Sequence, residues 1–511
     1  MNFYSQVKPI ETRIPADRQR AKRHYGVHPY FTRRPYNVVR EYVLRFSKEG
    51  DIVLDPFGGS GVTAIEALLE NRLGIHNDIN PLANFIATGI ADLRFGSLEE
   101  YESALQFLKQ ECEHTLNKMH GMSEAELLEF KTISPNLFQF PENVPLPRTS
   151  DVKRYFDLFT LKQLGSLALL RKAIESIDSK LARRAMLLAW SATLAKLNKT
   201  FLSAEGRAES RGGSSVFSIY RYKVAKEPVE LAPWETFFDR ATNVLKAKAE
   251  IDQTIRLKKQ TGGWHGGFQS YSEDVEQLAC RLDNSVDYIF TDPPYGGHIS
   301  YLDLSTIWNT WLGLTPSLSQ RQSELIVGGE LSLPEKEYVE RLGRSVKACI
   351  KMLKRERWLS IVFQHWNISY FEAILNSAAE AGAELKAAIS QVGDPVWSMH
   401  KKKNSSVLSG EMILTFQKNG VVRKTSHRGR FDISDALTQV LGEFRDEEVL
   451  GEYLFNRIVI EAWKKSAIHT LTFSRGEFLQ LLSDAGLKYD QLSHKWVRDA
   501  SQSQLSLSFS K

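Results

Sequence analysis

Residues 51–63 read DIVLDPFGGSGVT and run into a helical pattern, TAIEALLENR, over 63–72. Ile52-Val53-Leu54 is an apolar run short enough for a buried strand, with Asp55, Pro56 and Phe57 at its end. Gly58, Gly59, Ser60 and Gly61 then turn the chain into the helix. Glycine admits positive φ and lets a ligand approach the backbone closely. Strand, glycine turn and helix in this order open an α/β sheet that binds ligands at its strand carboxyl ends. The turn lacks the GK[ST] ending of a phosphate loop and the full GxGxxG spacing. LGIH at 73–76 makes the next strand, and Asp78 lies just past it. An acid there, roughly 20 residues after the glycines, suits a ribose diol. A nucleoside without a demanding phosphate site fits best, which favours S-adenosyl-L-methionine over NAD or ATP.

A second buried strand, SVDYIF at 285–290, ends in TDPPYG at 291–296. Asp292, Pro293, Pro294 and Tyr295 put a carboxylate, a rigid turn poor in backbone donors and a flat ring at one strand end. Such a cluster accepts hydrogen bonds from a planar amino group while the ring stacks on its heterocycle. Alone, it also reads as a plain Pro-Pro turn closing a strand.

Together, DPFGGSG and DPPY resemble the amino-methyltransferases that modify exocyclic nitrogens of DNA bases, and more loosely the large bacterial DNA methylases with a helical insert. The resemblance covers roughly residues 20–95 and 265–420. It implies a Rossmann-like class I methyltransferase sheet, a glycine loop that holds S-adenosyl-L-methionine, and a tetrad that holds the target amine. HPYFTRRPYNVVREYVLRFSKEGD, upstream, resembles the family's helix beside the methionine end of the cofactor. YSEDVEQL lies where the family places an acid near the adenine ring; Asp274 fits best and Glu273 second.

The chain of 511 residues exceeds one ordinary core. A hydrophobic content of 42%, a charged content of 25% and a formal net charge of +5 suit a globular protein that tolerates nucleic acid as partner. Cys112, Cys280 and Cys349 lack metal or CxxC spacing and read as reduced, buried thiols. With no secretory signal and no membrane-length apolar stretch, the expectation is a soluble cytoplasmic protein.

Five regions are expected. Residues 1–26 form a basic arm with Arg13, Arg18, Arg20, Lys22 and Arg23, either solvated or contacting phosphates. Residues 27–96 are the cofactor-binding half, and 97–260 a mainly helical insert, a candidate target-recognition region. Within the insert, Arg207, Arg211, Arg221 and Lys223 among Phe217, Tyr220 and Tyr222 suit either DNA contact or a plain surface loop. Trp234 and Phe237 read as core. Residues 261–425 are the catalytic half, with His298, Tyr301, Asp303, His365 and Trp366 as candidate contacts and HKKKNSS at 400–406 as a turn or phosphate clamp. Residues 429–511 form a small helical appendage, winged-helix-like or a plain cap, ending in a frayed SQSQLSLSFSK.

An exocyclic base amine is a weak nucleophile because its lone pair is delocalised into the ring. On the resemblance, Asp292 and the Pro293 carbonyl accept its two hydrogens and aim the lone pair at the methyl donor, while Tyr295 stacks on a base flipped from the duplex. Asp at the head of the tetrad leans towards adenine N6 by family habit. Cytosine N4, then transfer RNA guanine N2, then a catalytically silent DNA-binding subunit are the alternatives. DNA is the expected partner. The chain carries no evident endonuclease motif, so any restriction or defence nuclease is expected on a separate chain.

Overall fold

Alternate residues of the apolar runs enter two different cores, and this builds the sheet. The computed structural model describes residues 3–18, 22–202, 213–391, 411–423, 429–443, 450–490 and 495–498. Seven strands form its main sheet: β1 (Ile52–Asp55), β2 (Leu73–Asn77), β3 (Gly267–Tyr271), β4 (Val286–Thr291), β5 (Leu353–Phe363), β6 (Ala383–Gln391) and β7 (Glu411–Lys418). Their spatial order is β3-β2-β1-β4-β5-β7-β6. Strands β3 to β5 are parallel, whereas β7 runs antiparallel to both β5 and β6. Val53, Tyr288, Phe290 and Trp358 pack into the core on one face; Leu54, Ile289, Leu359 and Ile361 pack into the other. A sheet covered on both sides needs near-continuous apolar strands, and these sequences supply them. The fold is the Rossmann-like α/β arrangement, with strand order reversing between β1 and β4.

Helix α1 (Tyr36–Phe46) buries Val39, Tyr42, Val43 and Phe46, a helical stripe facing the sheet. Helices α2 (Val62–Leu69) and α3 (Pro81–Asp92) follow β1 and β2. Four long helices then intervene before β3: α4 (Leu98–Gly121), α5 (Leu161–Glu175), α6 (Lys180–Thr193) and α7 (Pro233–Thr261). A reciprocal Ser97–Glu100 capping box starts α4. Leu108, Trp190, Phe237 and Ala241 from this insert share one core with Val39 and Phe290. Helices α8 (Val275–Arg281), α9 (Glu335–Met352) and α10 (Ile368–Glu380) cover the opposite face.

Several expectations change. The arm is packed where it is described: Tyr4 is buried and donates to Asp51 at 2.6 Å, and Ile14 exchanges two hydrogen bonds with Gln391. Strands β3 and β6 carry no strong apolar alternation, yet both join the sheet at its edges. The stretch after Asp484 is a hairpin, Leu487–Asp490 with Lys495–Arg498, where helix was expected, because Gly486 at φ 81° ends the helical path. Phe217 packs on Phe31 and Trp308, and Tyr222 is buried with its hydroxyl donating to the Leu304 carbonyl at 2.6 Å; both are core rather than base-stacking groups. Trp234 and Phe237 are buried as expected, and so are Cys112 and Cys349, whereas Cys280 is exposed near the end of α8. Arg20, Arg207, Arg211, residues 400–406 and the terminal SQSQLSLSFSK lie outside the described residues. Among the described residues no helix is long and apolar enough to cross a membrane.

Candidate active site

At the point where strand order reverses, the carboxyl ends of β1 and β4 lie side by side. Asp55 closes β1, and its buried carboxylate accepts from Thr63 Oγ1 at 2.9 Å, from the Phe57 amide at 3.1 Å and from Thr291 Oγ1 at 2.7 Å. Burial pushes this carboxyl up to about 7, with the three hydrogen bonds acting against it. Asp55 therefore fastens the start of the glycine turn to the residue immediately before Asp292.

The turn is shaped by close approaches. A Cβ on Gly58 would lie 2.1 Å from Nδ1 of buried His76, and Gly61 adopts φ 89° at the start of α2 with Ala87 directly against it. The Gly58 amide donates to the Asn77 carbonyl at 2.9 Å. Asn77, itself buried, donates to the carbonyls of Pro56 and Glu273 and accepts from the Glu273 amide, joining three strand ends. Asp78 accepts from the Gly59 amide at 2.8 Å and the Asn80 amide at 2.8 Å, and burial lifts its carboxyl to about 6.

A cavity of about 360 Å³ opens here, lined by Asp55, Pro56, Phe57, Gly58, Gly59, Ser60, Asp78, Asp274, Asp292 and Pro294. Its size falls within the usual range of small-molecule sites. Asp274 caps α8 through the Glu276 amide at 2.8 Å, whereas Glu273 is paired with Arg281 and lies outside the lining. Gly61, Pro293 and Tyr295 also stand outside the lining: Gly61 turns the backbone, while Tyr295 packs edge-on against Phe363 and donates to Asp292 Oδ1. The Pro294 carbonyl is taken by the Tyr338 hydroxyl at 2.5 Å; the Pro293 carbonyl accepts no hydrogen bond among the described residues.

Four further lining residues were not singled out as site residues in the sequence. Arg33 is held by Ser60 Oγ at 2.9 Å and by the carbonyls of Tyr25 and His28, all uncharged, and burial lowers its guanidinium to about 10. Arg34 donates to Asp292 Oδ2 at 2.5 Å, to the Tyr295 hydroxyl at 3.2 Å and to Glu411. Tyr30 stacks at 6.3 Å on Tyr301, a residue expected at the site, which also lines the cavity. Glu324 accepts from the Leu302 amide, and its burial, then the nearby charge of Asp303, raises its carboxyl to about 8. Of the other expected contacts, Asp303 binds Ser300 and Arg321. His298 and His365 sit ring to ring at 5.5 Å, and Trp366 packs on Phe455, all outside the lining.

A DNA methylase family model matches residues 8–87, which carry Arg33, Arg34, the glycine turn and Asp78. These residues are thus similar to the DNA methylases. Over 109 residues the chain is 30% identical to the type II methyltransferase M.MjaII of Methanocaldococcus jannaschii, covering 21% of this chain and 19% of that protein. Over 46 residues it is 48% identical to the orphan methyltransferase M.BamHII of Bacillus amyloliquefaciens, covering 9% of this chain and 17% of that one. The matches thus span less than a fifth of each of these two relatives.

The cavity suits the family's cofactor on its own chemistry. Asp78 keeps carboxylate lone pairs beyond its two amide bonds for a ribose diol. Arg33 is a cation whose hydrogen bonds all go to neutral groups, a setting that calls for a small anion such as an amino-acid carboxylate.

Proposed function

We propose that the protein transfers a methyl group from S-adenosyl-L-methionine to the exocyclic amine of a base in DNA. The observation that carries this reading is Asp292 on the wall of the same cavity as the glycine turn and Asp78. Bound S-adenosyl-L-methionine supplies an electrophilic methyl group on a sulfonium sulfur. Asp78 would hold the ribose hydroxyls, Arg33 the carboxylate of the methionine end, and Asp274 the adenine.

Asp292 and the Pro293 carbonyl accept the two amine hydrogens, which draws the nitrogen towards tetrahedral geometry and aims its lone pair. Tyr295 stacks on the ring of the flipped base. As the new N–C bond forms, the methyl–sulfur bond would break to leave a neutral thioether, and the surplus proton would pass from the nitrogen to solvent; positioning and charge stabilisation carry the step, so no strongly basic side chain is needed. By family habit, Asp at position 292 goes with adenine N6. Against that habit, the guanidinium of Arg34 on Asp292 is the one structural observation that bears on the base, and it favours cytosine N4. A partner nuclease on another chain extends the same proposal.

The test is incubation of the full chain with methyl-labelled S-adenosyl-L-methionine and unmodified DNA or, separately, unmodified transfer RNA. Label in DNA is expected. Label in transfer RNA alone would move the substrate to RNA, and label in neither would leave a silent binding subunit.

A further inference from the structure

Arg34 occupies the place where the target amine is expected. All three nitrogens of its guanidinium are engaged: Nε on Asp292 Oδ2 at 2.5 Å, Nη2 on the Tyr295 hydroxyl at 3.2 Å and Nη1 on Glu411. The other oxygen of Asp292 takes the Tyr295 hydroxyl. The side chains of Arg34, Asp292 and Glu411 are 14%, 20% and 11% exposed, so the cluster is largely shielded from water. Its guanidinium carbon lies 5.9 Å from the centre of the Tyr295 ring, the platform on which a base would stack.

An amine that binds Asp292 must take over one of these bonds or share its oxygen. Glu411 lies on a different strand, β7, and grips the guanidinium through another nitrogen, so it retains Arg34 while the Nε bond is exchanged. The freed Nε–H and, beside it, Nη2–H, which gives up its long 3.2 Å bond to the Tyr295 hydroxyl, then face whatever lies beside the amine on the ring of the base. Cytosine presents amine, ring acceptor N3 and carbonyl O2 in a row. Adenine presents amine, ring acceptor N1 and an apolar C2–H. Thymine presents a carbonyl to Asp292, lone pair against lone pair. A planar two-pronged donor beside a carboxylate complements the cytosine edge throughout; against adenine, one shielded N–H is left facing carbon.

We propose that Arg34 reads the ring edge next to the amine and makes cytosine the preferred target base. The inference rests on the methyl-transfer reading. Arg34 is thus a specificity residue, and Glu411 orients it from behind.

The experiment treats unmodified genomic DNA with the full-length protein and S-adenosyl-L-methionine, then quantifies methylated nucleosides by mass spectrometry after complete digestion. N4-methyldeoxycytidine is expected to dominate. Arg34→Met is expected to lower that product by about ten- to a hundredfold, the worth of a two-pronged base contact. Arg34→Lys should restore part of it, and both variants should bind the cofactor within about threefold of wild type by calorimetry. Predominant N6-methyldeoxyadenosine from the wild type would overturn the assignment of Arg34 while leaving methyl transfer intact. An Arg34→Met variant with full cytosine methylation would overturn it too. No methylated nucleoside at all would overturn the methyl-transfer reading, and this inference with it.

Discussion

Thr291 on β4 donates its hydroxyl to Asp55 on β1 at 2.7 Å, so the strand end leading into the glycine turn is tied to the residue that precedes Asp292. The two halves of the site are joined by a buried hydrogen bond rather than by proximity alone. Asp55→Ala would leave Thr291 Oγ1, Thr63 Oγ1 and the Phe57 amide without their acceptor. Each buried group so stranded costs on the order of 1–3 kcal/mol. A clear fall in melting temperature is expected together with weakened cofactor binding. Wild-type cofactor affinity in this variant would detach Asp55 from the turn.

Asp292→Ala separates chemistry from cofactor binding. Methyl transfer should fall by about two to three orders of magnitude or more, the scale of losing one preorganised charge-stabilising group. Cofactor affinity, which the proposal assigns to Asp78, Arg33 and the glycine turn, should stay within about threefold by calorimetry. Near-normal turnover would remove Asp292 from the active role.

Gly58→Ala tests the packing of the turn. The added Cβ would press on the His76 ring, which is fully buried and has no room to yield. Overpacking of this kind costs about 1–3 kcal/mol. Adding His76→Ala should recover much of that loss, a coupling that chemical denaturation of the two single variants and the double variant would measure. Additive losses would place the cost elsewhere.

Glu324 gives a prediction with a definite sign. Its folded carboxyl is raised to about 8 by burial and by the charge of Asp303, above the ordinary 4.5. The folded state therefore binds the extra proton more tightly than the unfolded chain, and stability falls as pH rises from about 4.5 to 8. Glu324→Gln cannot ionise and removes that loss. At pH 8 to 9 the variant should be more stable than wild type, by something on the order of 1–3 kcal/mol. Towards pH 4.5 the advantage should vanish. Parallel thermal melts across this range decide it, and an equal offset at both ends would show that Glu324 acts through packing alone.

The parts of the site that local chemistry dictates were legible in the sequence. An apolar run ending in Asp55, three glycines and Asp78 announce a turn at a strand end, and Asp292 to Tyr295 announce another. That both belong to one cavity follows only once β1 and β4 become neighbours. Within HPYFTRRPYNVVREYVLRFSKEGD neither Arg33 nor Arg34 stood out, because nothing local distinguishes a guanidinium folded over a sheet from one in water. Their one local signal is the position just before Pro35 and α1, which fixes where the chain re-enters the core. Strands β3 and β6 stayed hidden for a related reason. GFQSY and AELKAAISQ sit at the two edges of the sheet, half covered, so neither needs the continuous apolar run that marks β1 and β4.

The shared core of the insert and the sheet has a consequence for how this protein can change. Trp190 and Phe237 are packed in one apolar mass with Val39 and Phe290, so the two regions must melt together. A region built this way is not a cassette. Exchanging the insert for another would unmake the wall against which the half that carries the glycine turn is assembled. Change in this protein is therefore expected to come by point substitutions on exposed surfaces, not by shuffling of modules.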